Sequence, residues 1–126
     1  MLQWRTLRQT RNHHEDNPMI KVSVLYPNPP GVRFDFAYYC SQHMDLVRKC
    51  LGEACKAIAV DRGVASAEAN SRAPFVAMGH LYFDSLARFQ QSFAPHAERI
   101  MADLSNFTDS QPLVQISEVE LAPQGL

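Results

Sequence analysis

The sequence contains no apolar run longer than about ten residues, so no segment reaches the roughly 20 that a membrane-spanning helix needs. Neither sign of charge is in excess. Twelve Lys and Arg against 13 Asp and Glu leave a formal net charge of -1, with no basic face for nucleic acid and no acidic tail. Cysteine is scarce: Cys40, Cys50 and Cys55 lack the two-residue gap of a zinc knuckle or redox motif. An odd count without a secretory signal reads as reduced thiols in a cytoplasmic protein, each expected as a small core residue rather than a nucleophile. A Gly-rich phosphate loop, a nucleophile elbow, an HExxH pair and a dinucleotide fingerprint are also missing. No metal and no cofactor is therefore expected.

What is present is an ordinary globular composition, 46% hydrophobic over 126 residues, enough for one core and too little for two. Residues 1–18 differ from the rest and are expected as a disordered leader. Arg5, Arg8 and Arg11 fall at helical spacing, but Glu15 and Asp16 argue against a transit peptide. His13 and His14 beside these acids make only an adventitious metal contact, and Met19 is a candidate start. The domain is expected over 19–121, with 122–126 a loose tail.

Within it, Ile20, Val22, Val24 and Tyr26 alternate along a strand over 20–26, stopped by a proline-rich loop. Asp35 is an N-cap for a helix running to Leu51 and closed by Gly52. Its inward stripe reads Phe36, Tyr39 with Cys40, His43, Val47, then Cys50 with Leu51. Strands follow over 55–64 and 75–83. A second helix, capped by Asp84 or Ser85, points Leu86, Phe89 and Phe93 inward. Pro95 breaks it, and a further segment carries Ala97, Ile100, Met101 and Leu104 inward. A last strand covers 111–121.

The order is β-α-β-β-α-β. In the third strand Val76, Met78, His80 and Tyr82 share one face, while Phe75, Ala77, Leu81 and Phe83 share the other. Parity does not say which face meets the helices. Two helices cover one face of a four-stranded antiparallel sheet, so the second apolar face calls for a partner sheet from a symmetric copy, unless a monomer leaves it wet.

The candidate site residues are polar groups on apolar faces. His43 follows Tyr39 by four residues on the inward stripe, where a neutral imidazole can shuttle a proton and the tyrosine can hold it or meet a substrate oxygen. The plain alternative is a core histidine bonded to a backbone carbonyl. His80 sits beside Gly79, whose missing side chain makes room for a ligand, a partner chain or one of the protein's own helices. His96 opens a helical segment behind Pro95. Tyr26 and Tyr82 are candidate rim hydroxyls, or aromatic core residues with wet tips.

The stretches MIKVSVLYPNPPGVRFDFAYYCSQHM, VAMGHLYFDSLARFQQSFAPHAERIMADLSNFT and QPLVQISEV resemble the EthD family, named for a protein encoded beside a P450 system for ethyl tert-butyl ether degradation. The resemblance covers 19–121 and fails for 1–18. It implies an α+β ferredoxin-like βαββαβ sandwich: an antiparallel four-stranded sheet, two helices on one face, and assembly as a homodimer in a dimeric α+β barrel. It further implies a pocket between sheet and helices holding a small apolar or aromatic molecule. His43, Tyr39 and His80 are the catalytic candidates there, and His96, Tyr26 and Tyr82 the substrate-binding ones. The expected activity is a cofactor-free oxidoreductase, or a related cyclase, isomerase or decarboxylase working by proton transfer. A non-catalytic binding protein serving a degradation pathway such as a P450 system, and a purely structural dimer, are the competing readings.

Overall fold

The computed structural model describes residues 18–125; the leader residues 1–17, with the paired histidines, lie outside them. Four strands, β1 Ile20–Pro27, β2 Cys55–Arg62, β3 Phe75–Phe83 and β4 Leu113–Glu118, form one antiparallel sheet in the order β2-β3-β1-β4. The first helical arm joins α1 Phe36–Tyr38 to a π-helical turn, Tyr39–His43, and to α2 Met44–Leu51. The second joins α3 Leu86–Phe93 through a 3-10 turn, Ala94–His96, to α4 Ala97–Ala102 and a final 3-10 turn, Asp103–Asn106. Both arms lie on one face. The fold is ferredoxin-like α+β, as the sequence implied.

Local chemistry sets the boundaries. Asp35 caps the first arm by accepting from the Tyr38 amide at 3.0 Å, and Gly52 ends it at φ +59°, a conformation that favours glycine. Ser85, rather than Asp84, caps α3 by accepting from the Arg88 amide at 3.1 Å. Pro95 lies in the 3-10 turn, where its missing N–H breaks no α-helical ladder. β4 is shorter than the periodicity suggests, beginning only after Pro112.

Ile20, Val22 and Tyr26 of β1 and Ala77, Leu81 and Phe83 of β3 are buried against the arms, facing Tyr39, Val47, Leu51, Phe89, Ile100 and Phe107. Strand parity therefore puts Val76, Met78, His80 and Tyr82 on the opposite, outer face. Three residues expected inward are exposed. Cys40 is turned out because the π-helical turn aims Tyr39 and His43 inward on either side of it. Leu86 is the first residue of α3, one turn before Phe89 takes up the packing, and Met101 stands at the margin beside buried Ile100.

Gly79 explains how closely the layers meet. A Cβ there would overlap the Tyr39 hydroxyl and touch the end of Met44. What approaches the glycine is thus the protein's own helix. Gly79→Ala is expected to destabilise the fold by about 1–3 kcal/mol through overpacking. In a Tyr39→Phe background, where the clashing oxygen is gone, the same change should cost at least about 1 kcal/mol less in urea denaturation; additive effects would contradict the contact.

Candidate functional site

Between the sheet and the two arms lies a cavity of about 200 Å³. Val22, Val24 and Leu81 form its floor, Met44 and Val47 one wall, and Phe89, Phe93, Ile100 and Leu104 the other. Pro112, Val114 and the exposed Met101 mark its margin. Its lining is almost wholly apolar. The polar groups in it, Tyr26, Tyr39 and His43, lie together, with Tyr39 5.6 Å from each of the other two rings.

The π-helical turn positions them. In an α-helix, residues five apart point about 140° away from each other. The widened turn, built on i to i+5 bonding, instead brings Tyr38 and His43 to the same carboxylate. His43 Nδ1 lies 2.9 Å from Asp103 Oδ2, and the Tyr38 hydroxyl donates to Asp103 Oδ1 at 2.7 Å. Asn106 donates to that second oxygen at 2.9 Å. The same turn stacks Tyr39 on His43 at 21° between ring planes, and Phe107 closes over the imidazole at 4.7 Å.

Electrostatics then fix the protonation states. Burial lowers the His43 pKa below 6.5, with Asp103 opposing in part. Partial burial would raise the Asp103 carboxyl, but Asn106, His43 and Tyr38 together hold it below its ordinary value. Asp103 is therefore an anion near neutral pH, and His43 a neutral imidazole whose Nδ1–H donates to it. Nε2 is left as a bare acceptor. Burial also pushes Tyr26 up to about 12 and raises Tyr39 further, so both remain protonated. A neutral base, two hydroxyls and apolar walls form a site that can accept a proton and hold the resulting oxygen.

Of the residues predicted from sequence, Tyr26, Tyr39 and His43 meet in this cavity. The other three do not join them. His80 faces the outer side of the sheet, its Nδ1 2.9 Å from Ser23 Oγ and its Nε2 3.4 Å from Asp61 Oδ2. Tyr82 stands on that same outer face. His96 closes the 3-10 turn behind Pro95 and is absent from the cavity lining. Ser23, His80 and Asp61 have the composition of a nucleophilic triad. Ser23 and His80 lie, however, on β1 and β3, interior strands whose backbone N–H groups are spent on the ladder and so offer no oxyanion donor, while Asp61 comes from the edge strand β2.

Sequence reasoning missed Asp103, Asn106 and Tyr38. Asp103 is 60 residues from its histidine, and Tyr38 lies off the stripe that α-helical periodicity draws. A five-residue spacing between Tyr38 and His43 has meaning only once the turn is π-helical. Among the described residues no three His, Cys, Asp or Glu side chains gather as a metal site.

The structure is thus a ferredoxin-like domain with an apolar cavity between sheet and helices and a carboxylate-held imidazole at its polar end. The EthD domain profile matches residues 31–111, and the chain belongs to that family. It is 41% identical to an EthD-like protein from Ralstonia eutropha, with 86% of this chain and 97% of that one covered and a TM-score of 0.82. An ethyl tert-butyl ether degradation (EthD) family protein from Bacillus halodurans shares the fold at 22% identity, covering 80% and 98%, with a TM-score of 0.61. A dimeric ferredoxin-like protein of unknown function from Thermobifida fusca shares it at 10%, covering 82% and 92%, with a TM-score of 0.52. No curated protein matches the chain.

In an NMR titration the His43 ring should protonate below pH 6.5, and Asp103→Asn, which removes the supporting anion, should lower its pKa further. Folded-state pKa values below the unfolded ones mean that the unfolded chain takes up protons first on acidification. The stability contributed by His43 is therefore full above about pH 6.5 and lost as pH falls through its folded pKa. That of Asp103 is lost at still lower pH.

Proposed function

We propose that this chain is an EthD-family enzyme that moves a proton on a small apolar or aromatic compound. The observation that carries this reading is the buried His43, tied to Asp103 through Nδ1 and lining an apolar cavity with its other nitrogen unpaired. Nε2 takes the proton as general base. Asp103 holds the tautomer and steadies the imidazolium without accepting the proton itself, and Tyr38 and Asn106 hold Asp103. Tyr26 is the donor toward a substrate oxygen, and the Tyr39 hydroxyl, which donates to it, holds it in place.

The finer reading is a cofactor-free oxidoreductase, in which the deprotonated substrate passes electrons to an external acceptor such as dioxygen. Cyclase, isomerase or decarboxylase chemistry begins at the same proton transfer, and oxygen uptake separates the first from the others. The competing reading, a binding protein for a degradation pathway, is favoured by the almost wholly apolar lining. Deuterium exchange from D2O into a panel of small enolisable ketones and phenols tests the two. Exchange above the buffer rate is expected, falling by roughly 10²–10⁴ in His43→Gln. Ligands that bind by calorimetry without exchange or product would favour the binding protein.

A second part of the proposal concerns the outer sheet face. It carries Leu25, Val76, Met78, Tyr82 and Leu113, and Leu113 is 58% exposed. We read this face as the seat of a second copy and the protein as a cytoplasmic homodimer; the Thermobifida fusca protein that shares the fold is dimeric. Among the described residues no helix is long and apolar enough to cross a membrane. Met78→Glu should convert the dimer to a folded monomer in light scattering; a wild-type chain that runs as a monomer would refute this part alone.

A further inference from the structure

Resting on the proton-transfer reading for the role of His43, we propose that the cavity selects an electrically neutral, single-ring phenol whose hydroxyl donates to His43 Nε2. Size sets the number of rings. An apolar cavity of about 150 Å³ holds benzene, so about 200 Å³ admits one ring with a short alkyl substituent.

Charge sets the second limit. No Lys, Arg, Asp or Glu lines the cavity. A buried carboxylate or phosphate would have no counter-charge there, and a buried amine no carboxylate, since Asp103 lies on the far side of the imidazole and is already bonded to Tyr38, His43 and Asn106. The ligand body is therefore uncharged.

The polar end sets the functional group. His43 is 3% exposed, and its Nε2 has no hydrogen-bond partner among the described residues. A buried acceptor without a donor is costly. A ligand O–H supplies that donor, and its oxygen keeps lone pairs for the hydroxyl of Tyr26, to which Tyr39 donates. A ketone or an ether has no O–H to donate to Nε2 in the bound ground state. Phe89 and Phe93, stacked at 5.3 Å with 22° between their planes, present aromatic surface along one wall and favour a flat ring over an aliphatic alcohol.

Calorimetry on the full chain with 4-ethylphenol, its methyl ether 4-ethylanisole and 4-ethylbenzoate tests this. The phenol should bind at least about tenfold more tightly than the ether, because a site built to bond a hydroxyl rejects the analogue lacking it, and the benzoate should not bind measurably. In His43→Phe, with folding checked by circular dichroism, the preference for phenol over ether should shrink to about twofold. A second measurement needs no variant: the His43 Nε2 nitrogen resonance of the wild type should shift with the phenol and stay in place with the ether. Equal affinity for phenol and ether, measurable binding of the benzoate, or an unmoved Nε2 resonance would overturn the ligand class. The two readings fail separately. Phenol selectivity without exchange or turnover would sink the enzyme and keep the ligand class, while exchange that depends on His43 alongside equal ether binding would do the reverse.

Discussion

The contact of the Tyr39 hydroxyl with the bare backbone of Gly79 sets the distance between the helical layer and the sheet at one point, and the remaining architecture follows from it. At that point the layers touch more closely than a β-carbon would allow. Alongside, where Val22, Val24 and Leu81 face Phe89 and Ile100, they stay apart and enclose the cavity. The π-helical turn is the device that reconciles the two. Its extra width lets a tyrosine press on the sheet while a histidine one turn along reaches across the arm to Asp103. Aromatic packing locks the arrangement, since Phe107 is fully buried against Tyr26, Phe34, Tyr39 and His43.

Much of the fold was legible in the sequence because each element announces itself locally. Asp35 and Gly52 bracket the first arm, Pro95 breaks the second, and alternation over 75–83 names a strand whose bounds the structure matches. The site was legible only in part. Tyr39 and His43 stand out because polar groups on a buried stripe demand partners, and Gly79 stands out because a strand interior disfavours glycine. Asp103 carries no such local mark. It sits on a short 3-10 turn with an unremarkable neighbourhood, and its importance arises from a pairing that only the tertiary structure makes. Tyr38 was hidden by the assumption of an α-helical period.

The histidines illustrate the limit of parity arguments. Alternation along β3 separates His80 from Leu81 but carries no sign, so the side turned to the helices becomes known only once both arms are placed. The outcome gives the two sheet faces different chemistry. Under the helices one imidazole is packed among aromatic and aliphatic side chains with the Asp103 carboxylate as its polar partner. On the outer face another is embedded among Ser23, Asp61 and Lys21, where burial, then Lys21, lowers its pKa while Asp61 opposes. Two histidines 37 residues apart thus share a direction of pKa shift, set first by burial in both and opposed by a carboxylate in both, with Lys21 adding to it only at His80.

The placement of Asp103 has a mechanical meaning. His43 is carried by the first arm, packed on the sheet through Tyr39, whereas its carboxylate partner sits on the short turn that ends the second arm. That second arm also supplies Phe89, Phe93 and Ile100, the wall opposite the first arm. By bonding Tyr38 and His43 at once, one carboxylate acts as a clasp between the two arms, so the side chain that fixes the imidazole's tautomer also fastens the walls of the cavity to each other.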